Sequence, residues 1–213
     1  MRLALAAVIL LGLADAGMRL TFAGRHQPQD SLLWAFDASR ETSVQTWFAV
    51  VAMACVGLRC FRLGGDARPW LLLGAGFTYL SLDDACMLHE RIGEALAPRL
   101  SGFGVYSWVL ALGALFAVGG IAAFAWLWRR LGNEPERRRP TLAGFVALGV
   151  ALAIEVVEDK VIRSGATLRG IPLVAYTSCV EETLEMLGPV LLLLGFPEPR
   201  SCTDGRGLAP QRP

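Results

Sequence analysis

The chain has 213 residues, of which 54% are apolar and only 18% are charged, and its formal net charge is +1. The charged fraction lies below the roughly 25% that is typical of soluble domains. The arginines lie between apolar segments rather than along a groove, which argues against nucleic-acid binding. The five cysteines show neither a Cys-x-x-Cys pair nor a regular spacing, so neither a zinc ribbon nor a disulfide framework is supported.

Six apolar segments follow one another along the chain. A helix needs about 20 residues to cross a hydrocarbon layer of about 30 Å, and most of the segments reach that length when their polar ends are included. We therefore predict an all-α fold, a polytopic membrane helical bundle of about six transmembrane helices over residues 1–196, followed by a disordered tail over residues 197–213. The predicted spans lie near residues 3–23, 44–58, 70–90, 105–128, 142–161 and 171–196.

The distribution of arginine predicts the orientation of the bundle. The predicted loop between residues 129 and 139 is rich in arginine, and cytoplasmic loops of membrane proteins are enriched in basic residues. We therefore expect both termini, and with them the tail, on the cytoplasmic side of the cell (inner) membrane. The first segment has a second interpretation, because Ala14, Asp15 and Ala16 also resemble the cleavage site of a secretory signal.

Three of the predicted spans carry acidic side chains within or at the end of their apolar runs. A charged residue at the centre of a span costs about 2.5–3.5 kcal/mol on an insertion scale, so these residues need a proton, a partner or a bound cation. At 100° per residue, Asp83 and Glu90 lie within about 20° of each other around the helix axis. The residues in question are Asp83, Asp84 and Glu90 beside His89 in the third span, Glu155 and Glu158 in the fifth, and Glu181, Glu182 and Glu185 in the sixth.

The depth of these residues favours a common site. Asp83 and Glu155 lie about 20 Å from the cytoplasmic ends of their helices, counted at about 1.5 Å per residue. Glu181 lies on a helix that runs the other way, about 15 Å below its outer end. We therefore expect the three acidic faces to meet in the outer half of the bilayer.

Several carboxylates with one imidazole suit a divalent metal ion such as Fe, Mn or Zn. We therefore predict a metal-dependent membrane enzyme that acts on a lipid-like substrate. The Glu-x-x-His pairs of two-metal helical bundles are absent, so the likeness to those bundles is chemical only. The predicted metal ligands are Asp83, His89, Glu90, Glu181 and Glu185, and the predicted catalytic residues, as ligand or general base, are Glu155 and Glu158.

Two other functions fit the same residues. A chain of acidic side chains also serves a proton- or cation-coupled transporter, although such a protein is expected to carry acids on both sides of the membrane midplane. A non-catalytic membrane subunit would use the acids in a purely structural hydrogen-bonded network. Glu94, Asp159 and Lys160 fit an interfacial position as well as a place in the site.

Overall fold

The computed structural model describes residues 2–21, 35–37, 43–64, 67–98, 107–168 and 170–198. A two-residue antiparallel ladder, formed by β1 (Thr167–Leu168) and β2 (Ile171–Pro172), joins the last two helices. The helices are α1 (Arg2–Thr21), α2 (Val44–Gly64), α3 (Arg68–Cys86), α4 (Leu88–Leu96), α5 (Ser107–Arg130), α6 (Pro135–Ser164) and α7 (Leu173–Gly195).

The predicted all-α fold is confirmed, and each predicted span overlaps a helix or, for the third, a broken pair of helices; α6 begins at Pro135, within the predicted arginine-rich loop. In the described part of the chain, the helices over residues 44–64 and 135–158 are long and apolar enough to cross a membrane. The pair α3 and α4 would add a third span if it crosses as one unit. The described residues end at 198, so nearly all of the predicted disordered tail lies outside them, as does the loop between α1 and α2 around His26.

Helix α7 lies at the centre of the fold, where it packs most extensively against α6 and also contacts α2 and α1. It contributes to both clusters of buried apolar side chains. Met186 and Val190 join one cluster with Val8 of α1 and Ala49 of α2. The other cluster brings together α2, α3, α5 and α7 and contains Val56, Cys60, Trp70, Phe77, Leu127, Leu192 and Phe196.

Glycines allow α6 and α7 to approach closely. A Cβ atom on Gly144 would lie 2.9 Å from the carbonyl oxygen of Gly188, and one on Gly195 would lie 2.8 Å from the carbonyl oxygen of Arg137. Contacts this short leave no space for a side chain, as in helix pairs that pack through small residues. The two helices are therefore held with their backbones almost in contact, and polar side chains between them can reach one another.

The connection between α6 and α7 places their polar residues at the same level. Helix α6 ends at Gly165, whose φ of 59° is the left-handed conformation that glycine adopts without steric cost. The short ladder then reverses the chain, and α7 begins directly after Pro172. Glu158, near the end of α6, therefore lies beside the first two turns of α7.

The third predicted span is not one helix. Met87 has φ 52° and ψ 44°, a left-handed conformation that interrupts the helix, and α4 departs from α3 at an angle of 68°. The prediction that Asp83 and Glu90 share one face assumed unbroken helical periodicity, and it is wrong because the break turns Glu90 away from that face. A non-glycine residue in this conformation gives no signal in the sequence pattern.

We expect Gly195→Ala to destabilise the protein by about 1–3 kcal/mol, because the new Cβ atom would clash with two backbone atoms of α6 and with Thr141. The measurement is the free energy of unfolding in detergent. Gly149→Ala is the matched control, since a Cβ atom there meets nothing within 4 Å and alanine favours the helix. Equal stability of the two variants would show that α6 and α7 are not packed this closely.

Candidate functional site

A cavity of about 1190 Å³ lies between α3, α5 and α6, with further contributions from α2, α4 and α7. Most of its lining is apolar, aromatic or glycine. The ionisable side chains that line it in the described part of the chain are Asp83, Asp84, His89, Glu155 and Glu185. The cavity is therefore a largely apolar space with a charged region where α3, α4, α6 and α7 meet.

The imidazole of His89 lies between two carboxyl groups from different helices. Its Nδ1 is 2.9 Å from Oδ2 of Asp83, and its Nε2 is 3.4 Å from Oε1 of Glu155. Ionised carboxylates only accept hydrogen bonds. A neutral ring carries one N–H and can donate to one of the two carboxylates, whereas a ring with both protons can donate to both.

The break at Met87 is what brings His89 to Asp83. The side chain of Met87 cannot cap a helix, and the backbone N–H of His89, in the first turn of α4, instead donates to Oδ1 of Asp83 at 3.0 Å. Asp83 also interacts electrostatically with Tyr79, one turn earlier in α3. Asp83 is buried, and its carboxylate thus caps α4 and orients the histidine ring at once.

A second polar group lies between α6 and α7. Oε1 of Glu158 accepts hydrogen bonds from the hydroxyls of Thr177 at 3.0 Å and Ser178 at 2.8 Å. Glu158 also interacts with the carboxyl group of Glu181, which is buried and interacts electrostatically with Glu155 and Glu185. Ionised carboxylates cannot donate to each other, so a direct hydrogen bond between these two groups requires a proton on one of them.

The structure brings six of the seven predicted site residues together. Glu155 is the link, since it faces His89 on one side and interacts with Glu181 on the other. Glu90 is the exception: it lies with Met87, Arg91 and Glu94 at a separate depression of about 390 Å³. The residues brought together are Asp83, His89, Glu155, Glu158, Glu181 and Glu185.

Asp84 was recognised in the sequence as one of the acids of the third span but was not predicted as a ligand or a catalytic residue. The aromatic residues that line the cavity beside His89 were not predicted at all. Asp84 interacts electrostatically with His89, Asp83 and Glu155. The ring of Trp108, near the start of α5, lies edge-on to the His89 ring with 5.0 Å between centroids. Thr177 and Ser178 were also missed, although their spacing of four and three residues from Glu181 places them on its side of α7.

The predicted metal site is not identified among the residues that the structure describes. No group of three or more His, Cys, Asp or Glu side chains in the described residues is placed so that it could hold a metal ion. Both ring nitrogens of His89 face carboxyl groups, and Glu90 lies at the other depression. Metal binding stays a prediction.

The chain belongs to the family described as "Domain of unknown function (DUF8692)", whose model matches residues 2–197. No curated protein and no solved structure matches the chain.

We expect Asp83→Ala to lower the free energy of unfolding by about 3 kcal/mol, because it leaves the N–H at the start of α4 and the His89 ring without their buried partner. Asp83→Asn should cost less, since the amide oxygen still accepts one hydrogen bond. Unfolding in detergent measures both. The control is Glu90→Gln, outside the cavity, and an Asp83→Ala protein as stable as this control would contradict the capping role.

Proposed function

We propose that the protein is a multi-pass protein of the cell (inner) membrane. It binds a lipid-like molecule in the cavity and performs acid–base chemistry on the polar head of that molecule at His89. One observation carries the proposal: the ionisable side chains of an otherwise apolar cavity meet around one histidine. This is the distribution that an amphiphile requires, with the chain in the apolar part and the head at the charged region.

Six membrane spans with both termini in the cytoplasm remain part of the proposal. Helices α1, α5 and α7 have 20, 24 and 23 residues, the length that a span needs. Large apolar side chains of α5, such as Leu115, Val118 and Ile121, are 67–69% exposed, which suits contact with acyl chains. The glutamates of α7 do not oppose this assignment, because Glu181 is engaged with α6 inside the bundle.

His89 is the group best placed for proton transfer to a bound head group. Asp83 holds the ring through Nδ1 and fixes its orientation, so that Nε2 and Glu155 face each other across 3.4 Å. A hydroxyl or water molecule bound beside this pair could give its proton to one member while the other returns one. A histidine oriented by a carboxylate is a common general acid–base arrangement.

The polar groups between α6 and α7 favour a second candidate function, proton-coupled transport. Glu155, Glu181, Glu158 and the hydroxyl of Ser178 form an interacting series that leads from His89 towards the start of α7. Such a series can pass protons between the cavity and one face of the membrane. Transport would use the same titratable groups without changing the ligand chemically.

The experiment that separates these functions uses purified protein in liposomes made from a total lipid extract of the expression host. Mass spectrometry of the lipids tests for conversion, and a pH-sensitive dye inside the liposomes tests for proton flux. We expect conversion of a lipid by the unaltered protein and a loss of roughly 10²–10⁴-fold in His89→Gln, the usual size of an acid–base contribution. Glu90→Gln should convert the lipid at the normal rate.

Two results would contradict the proposed enzyme. Equal conversion by His89→Gln and the unaltered protein would remove His89 from the chemistry. Proton flux that is abolished in Glu181→Gln, without any lipid conversion by the unaltered protein, would establish the transporter instead.

A further inference from the structure

We propose that the ligand of the cavity is an amphiphile with a positively charged amine head and no phosphate, such as a long-chain alkylamine. The proposal rests on the proposed function and names its substrate class. It is carried by two independent features of the cavity, the sign of its charge and the position of its aromatic side chains.

The charge of the cavity is strongly one-sided. Its described lining residues contribute four carboxyl groups and one imidazole but no lysine or arginine. The described basic residue nearest to His89 in α4 is Arg91, which lies with Glu90 and Glu94 at the separate depression. Even with His89 fully protonated, the carboxyl groups outnumber the cations, so a cationic head complements the site and an anionic head is repelled.

An aromatic wall adjoins the carboxyl groups. Trp108 contacts His89 with 5.0 Å between ring centroids and Phe116 with 6.2 Å, and Phe116 in turn lies 6.1 Å from Tyr79. Tyr79 interacts electrostatically with Asp83, so the wall begins and ends at the charged region. Aromatic rings attract cations through their negative faces, and rings combined with carboxylates are a recurrent site for ammonium groups.

The remaining cavity suits the chain of such an amphiphile. Beyond the charged region, the lining consists of apolar side chains and glycines of α3, α5 and α6, among them the buried or half-buried Phe77, Leu112 and Leu148. Its volume of about 1190 Å³ exceeds the roughly 300–1,000 Å³ of sites for small molecules, which leaves room for a long hydrocarbon chain. An ammonium between carboxyl groups and aromatic rings, with its chain in this space, satisfies both halves of the cavity.

The test compares three probes with the same twelve-carbon chain: dodecylamine, dodecanol and dodecyl phosphate. Each is added at pH 7 to the full chain in a non-ionic maltoside detergent, and thermal unfolding is followed by tryptophan fluorescence. Saturating dodecylamine should raise the unfolding temperature by about 5 °C or more. We expect dodecylamine to bind at least tenfold more tightly than dodecanol, and dodecyl phosphate to bind more weakly than either.

Variants separate the head from the chain. Asp84→Asn should weaken dodecylamine binding about tenfold without affecting dodecanol, because only the charge is lost. Trp108→Leu should also weaken dodecylamine binding. Trp108→Phe keeps an aromatic face and should therefore bind dodecylamine more tightly than Trp108→Leu does. Glu90→Gln, outside the cavity, should bind all three probes normally.

Three outcomes would overturn the proposal. Equal affinity for the three probes, or a preference for dodecyl phosphate, would overturn the cationic head and leave the proposed lipid-binding function standing. Absence of binding by all three would overturn both. The unfolding transitions of Asp84→Asn and Trp108→Leu show whether these variants are folded. If both are folded and bind dodecylamine as the unaltered protein does, the amine does not lie where we place it.

Discussion

The site depends on one histidine that is held between two carboxyl groups of different helices. Asp83 approaches Nδ1 of His89 from α3, and Glu155 approaches Nε2 from α6. Each contact requires the other parts of the fold to be in place: the break at Met87 turns the ring towards Asp83, and the packing of α6 sets the distance to Glu155. The histidine therefore joins local chain geometry to tertiary structure at a single point.

The same constraint explains how a bundle this apolar accommodates so many acids. A carboxyl group in an apolar environment needs a hydrogen bond, a proton or a counter-charge. Glu158 accepts hydrogen bonds from Thr177 and Ser178, and the buried Glu181 interacts electrostatically with Glu158. These groups meet because glycines let α6 and α7 approach closely. Backbone packing and polar chemistry thus support each other along this helix pair.

Asp83 illustrates why a structural role and a functional role are difficult to separate here. One of its oxygens caps α4 and the other orients the His89 ring. Removing it changes stability and ring orientation together, whereas Asp84, beside it in the chain, lines the same cavity and makes neither of these two hydrogen bonds. A substitution of Asp84 or of the aromatic wall therefore changes the cavity without removing the cap of α4, whereas a substitution of Asp83 changes both.

The sequence by itself determined the helices and the acidic faces of α6 and α7, because hydrophobic runs and helical spacing are local properties of the chain. It also predicted that the acids of three segments meet, and in the structure Glu155 lies 3.4 Å from His89 and interacts electrostatically with Glu181. Only the tertiary structure decided that Glu90 lies apart, because the break occurs at Met87, which carries no glycine or proline signal. The tertiary structure likewise decided the position of Trp108 beside His89 and the existence of the cavity. Distances between side chains of separate helices depend on how the helices pack and not on the residue spacing within any one helix.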